Sequence, residues 1–259
     1  MALMRRLAPT NQQQATGVVE DDGRCRGNGH NRAVCSIDEV PGTGHVVPVG
    51  TSWCPQCGAD LVAPSAYSSA WRCSDHGQVL PLSVFNRVGP AAVEHVCGQS
   101  EVPLWLPDPV PQGWSLCGLG AVGDARSRIR GTVAACNGPA PLGGDGEWLI
   151  IAEEPGIGLG AGYAGVPSLG LPASTDAPAP AKLYTLGHPT PLWAVPDTGA
   201  DRSAYVGEAE GVWLWLICFP ADAGYALLED LRLIDVRGHP QPVIEVGGAS
   251  NRLRPRHPG

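Results

Sequence analysis

The sequence is poor in charged residues and almost without lysine. Charged residues make up 16% of the 259 positions, Lys182 is the single lysine, and the formal net charge is -8. Most of the acidic excess lies in residues 101–259, which hold ten basic and seventeen acidic groups. Affinity for nucleic acids comes mainly from basic side chains that neutralise phosphates. The charge balance therefore argues against general DNA or RNA binding.

A long apolar run is also absent. The longest run, Val212 to Ala221, has about ten residues, whereas a membrane-spanning helix needs about 20. Arg5 and Arg6 are followed by Pro9 and a glutamine run, and not by the apolar stretch of a secretory signal. The nine cysteines are an odd number, which disfavours a framework of disulfides alone. We therefore expect a cytoplasmic protein that does not associate with membranes.

Motifs that would identify an enzyme are missing as well. There is no P-loop and no nucleophile elbow, and the G-x-G-x-x-G match at 160–165 is followed by proline where a dinucleotide site needs a helix. Glu153 and Glu154 are adjacent in a predicted strand, so their side chains should point to opposite faces. His188 and His239 precede prolines and are expected in turns. The sequence identifies no catalytic and no cofactor-binding residue.

Glycine and proline, in contrast, are abundant. The 35 glycines and 26 prolines favour short strands and turns over long helices, and 43% apolar residues suffice for a buried core. We expect an α+β, mostly β fold, in which a small N-terminal zinc ribbon precedes a strand-rich domain with one or two short helices. Residues 1–50 are predicted to be a disordered extension, 51–86 the ribbon, 100–250 the β domain with a flexible loop at 155–181, and 251–259 a tail.

Within the ribbon, residues 61–62 and 70–72 are predicted to form a hairpin and residues 78–80 a third strand. After the ribbon, apolar runs bounded by turn residues predict ten strands. They are Val102–Leu106, Trp114–Val122, Arg130–Cys136, Trp148–Glu153, Leu183–Leu186, Leu192–Val195, Ser203–Glu208, Val212–Phe219, Leu231–Val236 and Val243–Val246. The run Val212–Phe219 is continuous, as is typical of a strand buried on both faces. Pro220 and Asp222 are suited to a helix N-terminus and predict a helix over Ala221–Asp230.

A metal site is predicted by the spacing C-x2-C-x15-C-x2-H, formed by Cys54, Cys57, Cys73 and His76. Two ligands three residues apart can lie on one tight turn and direct their donor atoms at one ion. Gly58 and Gly77 follow the second ligand of each pair and permit the left-handed conformation that closes such a turn. So small a module cannot bury enough apolar surface to fold alone, and a metal would supply the missing stability. We expect one structural Zn²⁺ with four protein ligands.

Alternatives remain open around this site. His95 or Cys97 could replace His76 as the fourth ligand. Cys25, His30 and Cys35 could also bind a metal, although their spacing is long and a fourth partner is missing. Cys117, Cys136 and Cys218 lie in predicted strands, where buried inert thiols are usual. The eight tryptophans are expected mostly in the core, and some could line a pocket or a partner surface.

Many short motifs follow the ribbon in order. They include VPLWLP at 102–107, PQGW at 111–114, PLGG at 141–144, IGLGA at 157–161, YAG at 163–165, PTPLW at 189–193 and GVWLW at 211–215. Together with the ribbon they resemble a family of uncharacterised actinobacterial proteins, over roughly residues 53 to 250. The resemblance implies an N-terminal cysteine-and-histidine ribbon and no established activity. Some relatives carry a phosphotransacetylase label, which nothing in these residues supports.

Three hypotheses for the function follow. The first is a non-enzymatic cytosolic module that recognises a protein partner or a small ligand. The second is an enzyme with an unrecognised site in the β domain, near the glycine segment 156–165 and His188. The third is nucleic-acid binding through the ribbon, for which Arg72 and Arg87 are the available basic side chains.

Overall fold

The computed structural model describes residues 52–85, 88–167, 179, 181–238 and 245–254, apart from the side chains of Ala226 and Leu228. The predicted extension 1–50, with Cys25, His30 and Cys35, lies outside these residues. So do Arg87, His239, half of the strand predicted at Val243–Val246, and residues 168–178 and 180 of the predicted flexible loop.

The described chain is rich in strands, as the sequence predicts. The strands are β1 (Arg72–Cys73), β2 (Gly77–Gln78), β3 (Leu82–Phe85), β4 (Trp105–Pro107), β5 (Ser115–Asp124), β6 (Arg128–Pro139), β7 (Asp145–Glu153), β8 (Ala181–Thr185), β9 (His188–Ala194), β10 (Ser203–Ala209), β11 (Val212–Phe219) and β12 (Arg232–Asp235). The helices are α1 (Pro90–Gln99), α2 (Leu159–Ala164) and a 3₁₀ helix at Ala221–Leu228. No helix within the described ranges has the length and apolarity needed to cross a bilayer.

Ten of the strands form one sheet, in the order β3-β5-β6-β7-β11-β10-β9-β8-β12-β4. Neighbours are antiparallel except β8 and β12, which run parallel. The strands β5, β6 and β7 form a meander, because tight turns join consecutive antiparallel strands. The sheet curves so that β4, at one end of the order, contacts β6 and β7 in its middle. One face of the central strands is therefore covered by the far end of the same sheet.

The two faces of the sheet carry separate apolar clusters, and alternation along each strand assigns residues to them. We call the face that β4 and β12 cover the inner face, and the opposite face the outer face. In β11, Leu214 and Leu216 lie in the cluster on the inner face, while Trp215 and Ile217 lie in the cluster on the outer face. The prediction that Val212–Phe219 is buried on both faces is confirmed for Leu214 to Phe219. Helix α1, the 3₁₀ helix, β4 and β12 close the inner face. Helix α2 and Leu253 cover the outer face.

Four segments differ from their predictions. The helix predicted over Ala221–Asp230 is a 3₁₀ helix that ends at Leu228. Residues 159–164, within the predicted flexible loop, form α2, because their small residues let a short helix pack directly against the sheet. Helix α1 occupies a stretch for which the sequence predicts no helix or strand, and it buries Ala92, Val93 and Val96. Leu253, within the predicted tail 251–259, is packed against the sheet, since it is only 3% exposed.

The C-terminal segment, residues 245–254, runs along β5 and across the outer face. The backbone N–H of Leu116 donates to the Glu245 carbonyl and that of Gly247 to the Leu116 carbonyl, each at 2.9 Å. Further along, the Tyr163 hydroxyl of α2 donates to the Leu253 carbonyl. The segment thereby links the central sheet, α2 and the ribbon, which it reaches through Arg254.

Candidate functional site

The structure brings the four predicted metal ligands together. One donor atom from each of Cys54, Cys57, Cys73 and His76 lies within 4.8 Å of all the others. The three sulfur atoms are buried, and His76 is half-buried with its Nδ1 atom directed at the cluster. These residues are called the Cys3His cluster below, and they could hold a metal ion.

Two tight turns position these ligands. In the first, the Gly58 N–H donates to the Cys54 carbonyl at 2.8 Å, and Gly58 has a φ of 70°. In the second, β1 and β2 pair Cys73 with Gly77, whose φ is 69°, and His76 lies in the turn between them. Both glycines thus have the left-handed conformation predicted for them, in which a side chain would be strained.

Burial and hydrogen bonds shift the pKa values of the thiols in the cluster in opposite directions. Burial raises the pKa of Cys54 to about 12. At Cys73 burial acts in the same direction, but the backbone N–H of Asp75 and the imidazole of His76 outweigh it, and the pKa is lowered to about 6. Without a metal the cluster would therefore combine a thiolate with protonated thiols. A divalent cation would displace the remaining protons, because thiolates are the forms that bind metals.

The first turn of the cluster is tied to the rest of the protein from several sides. Trp53 and Leu82 of β3 exchange two backbone hydrogen bonds, of 3.0 and 2.8 Å. A methyl group at Gly162 of α2 would lie only 2.4 Å from the carbonyl oxygen of Pro55, which shows how closely the helix approaches this turn. The Arg254 Nε donates to the Gly58 carbonyl at 3.0 Å. The first turn of the cluster is thus held against the sheet, α2 and the C-terminal segment. The predicted ribbon 51–86 also contains β3, which belongs to the large sheet.

The G-x-G-x-x-G match has a packing role in the structure. Its first glycine, Gly160, lies against the indole of Trp215, which a Cβ atom would approach to 2.3 Å. Its second, Gly162, lies against the first turn of the cluster, and Gly165, with a φ of 76°, ends α2. The glycines therefore let α2 fit between the sheet and the ribbon.

Glu153 and Glu154 have separate partners, as their adjacent positions in a strand imply. The buried carboxylate of Glu153 accepts hydrogen bonds from the backbone N–H groups of Leu159 at 2.6 Å and Gly160 at 3.1 Å. Burial raises the pKa of Glu153 to about 7, although these N–H groups act to lower it. Glu154 pairs with Arg130. Glu153 therefore stabilises the N-terminus of α2, where helix N–H groups lack partners within the helix.

The other candidate residues lie apart from the Cys3His cluster. His95 stacks edge-on against Phe85, and Cys97 packs beside the inner cluster, so neither is brought to the metal ligands. His188 is exposed at the start of β9. Cys117, Cys136 and Cys218 are buried free thiols, as predicted. Half of the tryptophans are buried (Trp105, Trp114, Trp148 and Trp215), and the others (Trp53, Trp71, Trp193 and Trp213) are half-buried.

A polar cavity of about 560 Å³ opens on the outer face of the sheet. We call it the polar groove. Its charged and polar lining includes Asn137, Glu147, Tyr163, Asp201, Arg202 and Arg252. It lies beside a second hollow of about 380 Å³, which shares Asn137, Glu147, Phe219 and Arg252 with it.

The floor of the polar groove is a row of neighbours across adjacent strands. Ser115 of β5 pairs with Asn137 of β6, Asn137 pairs with Glu147 of β7, and Glu147 pairs with Phe219 of β11. The Ser115 hydroxyl donates to the Asn137 Oδ1 at 2.6 Å, and the Ser250 hydroxyl donates to the Glu147 Oε1 at 2.5 Å. Burial raises the pKa of Glu147. This row places polar groups where the outer face is otherwise apolar.

Sequence reasoning did not find the polar groove, because its residues come from separate strands and from the C-terminal segment. The signal in the sequence is weak. Every second residue of β6 and β7 lies on the outer face, and these positions change from apolar at Ala135 and Leu149 to polar at Asn137 and Glu147. The enzyme hypothesis placed a site near 156–165 and His188. Tyr163 of that segment does line the polar groove, but His188 is not among the lining residues.

Comparisons with known proteins identify the family of the chain but no activity. The model of a family of unknown function, DUF6758, matches residues 49–253. No curated protein matches the chain, and no solved structure does.

Proposed function

Since the chain belongs to DUF6758, a family of unknown function, we infer its role from its own residues and propose that it is a zinc-stabilised module that binds a small ligand. In this proposal the Cys3His cluster holds one structural Zn²⁺, and the polar groove holds the ligand. The cavity on the outer face is the observation that carries the binding role. Its volume of about 560 Å³ lies within the range usual for small-molecule sites.

The distances within the Cys3His cluster fit zinc. Regular tetrahedral coordination, with Zn–S near 2.3 Å and Zn–N near 2.0 Å, requires about 3.8 Å between two sulfurs and about 3.5 Å between sulfur and nitrogen. Cys57 and Cys73 have their sulfurs 3.7 Å apart. The Nδ1 of His76 lies 3.6 Å from the sulfurs of both Cys54 and Cys73. Thiolate and imidazole donors in this geometry favour zinc over magnesium or calcium.

Four protein ligands leave no coordination position for water or substrate, which supports a structural role for the metal. The bound ion would fix the turn that α2, β3 and Arg254 contact, and so hold the ribbon on the outer face. The free state of the seven described cysteines supports a reducing compartment, and we propose the cytoplasm as the location.

Metal content tests the zinc assignment. We expect one zinc per chain in the purified protein and a large loss of zinc affinity in His76→Ala, measured by competition with a chromophoric chelator. His95→Ala is the matched control and should keep its zinc, since His95 contacts Phe85 instead. Unchanged zinc affinity in His76→Ala would show that another residue completes the site.

A ligand screen tests the binding role. Thermal shift measurements with sets of amino acids, sugars, organic acids and nucleotides should show that at least one class stabilises the protein. Asn137→Leu, which removes an amide from the floor of the polar groove, should abolish that effect. Gln112→Leu is the matched control, because Gln112 is an exposed amide in a separate cleft beside Trp114. If no class stabilises the folded wild type, the binding role is wrong.

A further inference from the structure

Arg252 differs from the other paired arginines of the described residues in the length of its ion pairs. Its Nε lies 3.8 Å from the Glu147 Oε2, and its Nη1 lies 3.7 Å from the Asp201 Oδ2. Both distances exceed hydrogen-bond length, whereas Arg202 and Arg237 approach their carboxylates to 2.7 Å. The Arg252 side chain is 42% exposed at the polar groove. Its donors are therefore not satisfied by these two carboxylates.

The position of the Arg252 guanidinium is nevertheless defined. It lies 4.1 Å from the centroid of the Phe219 ring, which forms part of the floor of the polar groove. Arg202 lies over the same ring at 5.0 Å. Stacking of this kind holds a planar guanidinium in place without using its N–H groups. An incoming anion would meet a donor fork whose orientation is already set.

The two carboxylates beside Arg252 are already engaged by other donors. Asp201 accepts a hydrogen bond of 2.7 Å from the Arg202 Nε. Glu147 accepts one of 2.5 Å from the Ser250 hydroxyl. The lining of the polar groove contains three arginines, including Arg254, and these two carboxylates. Arg202 pairs with Asp201, and Arg254 pairs with Asp60 outside the lining. Arg252 is therefore the arginine of the groove that these carboxylates leave without a hydrogen bond.

Resting on the ligand-binding role proposed above, we propose that the polar groove binds a small hydroxylated organic anion, a carboxylate or a phosphate monoester. The guanidinium of Arg252 binds the anionic group, since it can donate two parallel hydrogen bonds to a carboxylate or a phosphate. Asn137 faces the neutral part of the ligand. Its Oδ1 accepts from the Ser115 hydroxyl, which leaves the amide nitrogen to donate to a ligand hydroxyl.

Calorimetric titration of the zinc-loaded protein with three probes tests this inference. The probes are malate, glycerol 3-phosphate and glycerol, which present a carboxylate, a phosphate monoester and no charge. We expect at least one of the two anions to bind at millimolar concentration or below and glycerol not to bind. Malate alone would identify a carboxylate site, and glycerol 3-phosphate alone a phosphate site.

Variants at Arg252 separate anion recognition from packing. Arg252→Gln should weaken the anion at least about tenfold, because a charge-assisted pair is lost. Arg252→Lys keeps the charge without the fork and should bind with intermediate affinity. Arg128→Gln is the matched control, since Arg128 lies at the opposite end of β6 from Asn137, and it should bind like the wild type. Thermal unfolding of each variant verifies that it is folded.

Three results would overturn the inference: equal binding of glycerol and the anions, unchanged anion affinity in folded Arg252→Gln, or no binding of either anion. Binding of glycerol alone would leave the ligand-binding role intact and remove only the anion. If neither anion binds, the thermal shift screen of the wild type and Asn137→Leu still tests whether the polar groove binds any small ligand. The two proposals therefore fail in distinguishable ways.

Discussion

At the scale of single residues, a buried carboxyl group should govern part of the pH dependence of stability. Glu153 is 2% exposed, and burial raises its pKa to about 7 from an ordinary value of 4.5. Between these two values the folded protein binds more protons than the unfolded chain. The contribution of Glu153 to the free energy of unfolding therefore falls as the pH rises through this window. Glu147, whose pKa burial also raises, acts in the same direction.

Replacing Glu153 with glutamine tests this assignment. We expect the free energy of unfolding of Glu153→Gln, relative to that of the wild type, to increase between pH 5 and pH 7, because only the wild type has the unfavourable ionisation. Urea denaturation at several pH values measures the difference. Taking the difference cancels the effects of Glu147 and of zinc loss at acid pH. A difference that does not change with pH would contradict the prediction.

Thiol reactivity gives a second prediction for single residues. Burial raises the pKa of Cys218 to about 12 and also raises that of Cys136, so both should resist iodoacetamide in the native protein. After the metal is chelated, Cys73, with a pKa lowered to about 6, should be modified first. Mass spectrometric mapping of the labelled peptides measures the order. Equal labelling of Cys218 and Cys73 in the folded protein would show that the strand β11 opens readily.

At the scale of elements, α2 is the piece that joins the sheet to the ribbon. Its six residues are all buried, and its glycines make contacts that leave no room for a side chain. In Gly162→Ala the new methyl group would meet the backbone carbonyl oxygens of Pro55 and Gln56 at 2.4 and 2.8 Å. Backbone atoms cannot rotate away as a side chain can. The helix and the first turn of the Cys3His cluster would therefore have to separate.

We expect Gly162→Ala to lower the free energy of unfolding by about 1–3 kcal/mol, as overpacking usually does. It should also speed the loss of zinc to a chelator. Gly98→Ala is the matched control, since Gly98 lies in α1 with no atom within 4 Å of the added methyl group. That variant should gain up to about 1 kcal/mol from helix propensity. Chemical denaturation measures both, and equal effects would remove the packing explanation.

The elements show how far sequence reasoning reaches. The bounds of β11 agree with the prediction, Val212–Phe219, because a continuous apolar run is a local signal of a doubly buried strand. The turns of the Cys3His cluster were also predictable, since their ligands and glycines are close in sequence. Helix α2 was predicted as loop because glycine is a poor helix former. What favours the helix there is Trp215 on one side and Pro55 on the other, which no local pattern reveals.

At the scale of the whole molecule, removal of the zinc proposed for the Cys3His cluster should loosen one side of the protein selectively. Hydrogen exchange of the chelated protein should increase at Leu82, whose N–H donates to the Trp53 carbonyl, and around α2. Ile150 and Ile151 in the centre of β7 should keep their protection, since neither contacts the Cys3His cluster. Mass spectrometry of peptic peptides measures this pattern. Equal deprotection of all strands would show that the ribbon and the sheet unfold as one unit.

The polar groove is a feature of the whole molecule that the sequence does not predict. Its floor depends on the register that aligns Ser115, Asn137, Glu147 and Phe219 across four strands. If the pairing of two of these strands shifted by one residue, the polar side chain of the shifted strand would lie on the opposite face of the sheet. Register is set by pairings between distant parts of the chain. The sequence predicts the strands, therefore, but not which of their polar ends meet.

The pairing of β4 with β12 also constrains the order in which the fold can assemble. Leu104 and Asp235, which are joined by a hydrogen bond of 3.2 Å beside this pairing, are 131 residues apart in sequence. A loop of that length closes at a large entropic cost, and contacts so distant slow folding. During synthesis the ligands of the Cys3His cluster leave the ribosome long before β12 is made. A metal ion that the cluster binds can therefore enter before β12 is made, while the edge of β4 still lacks its partner strand.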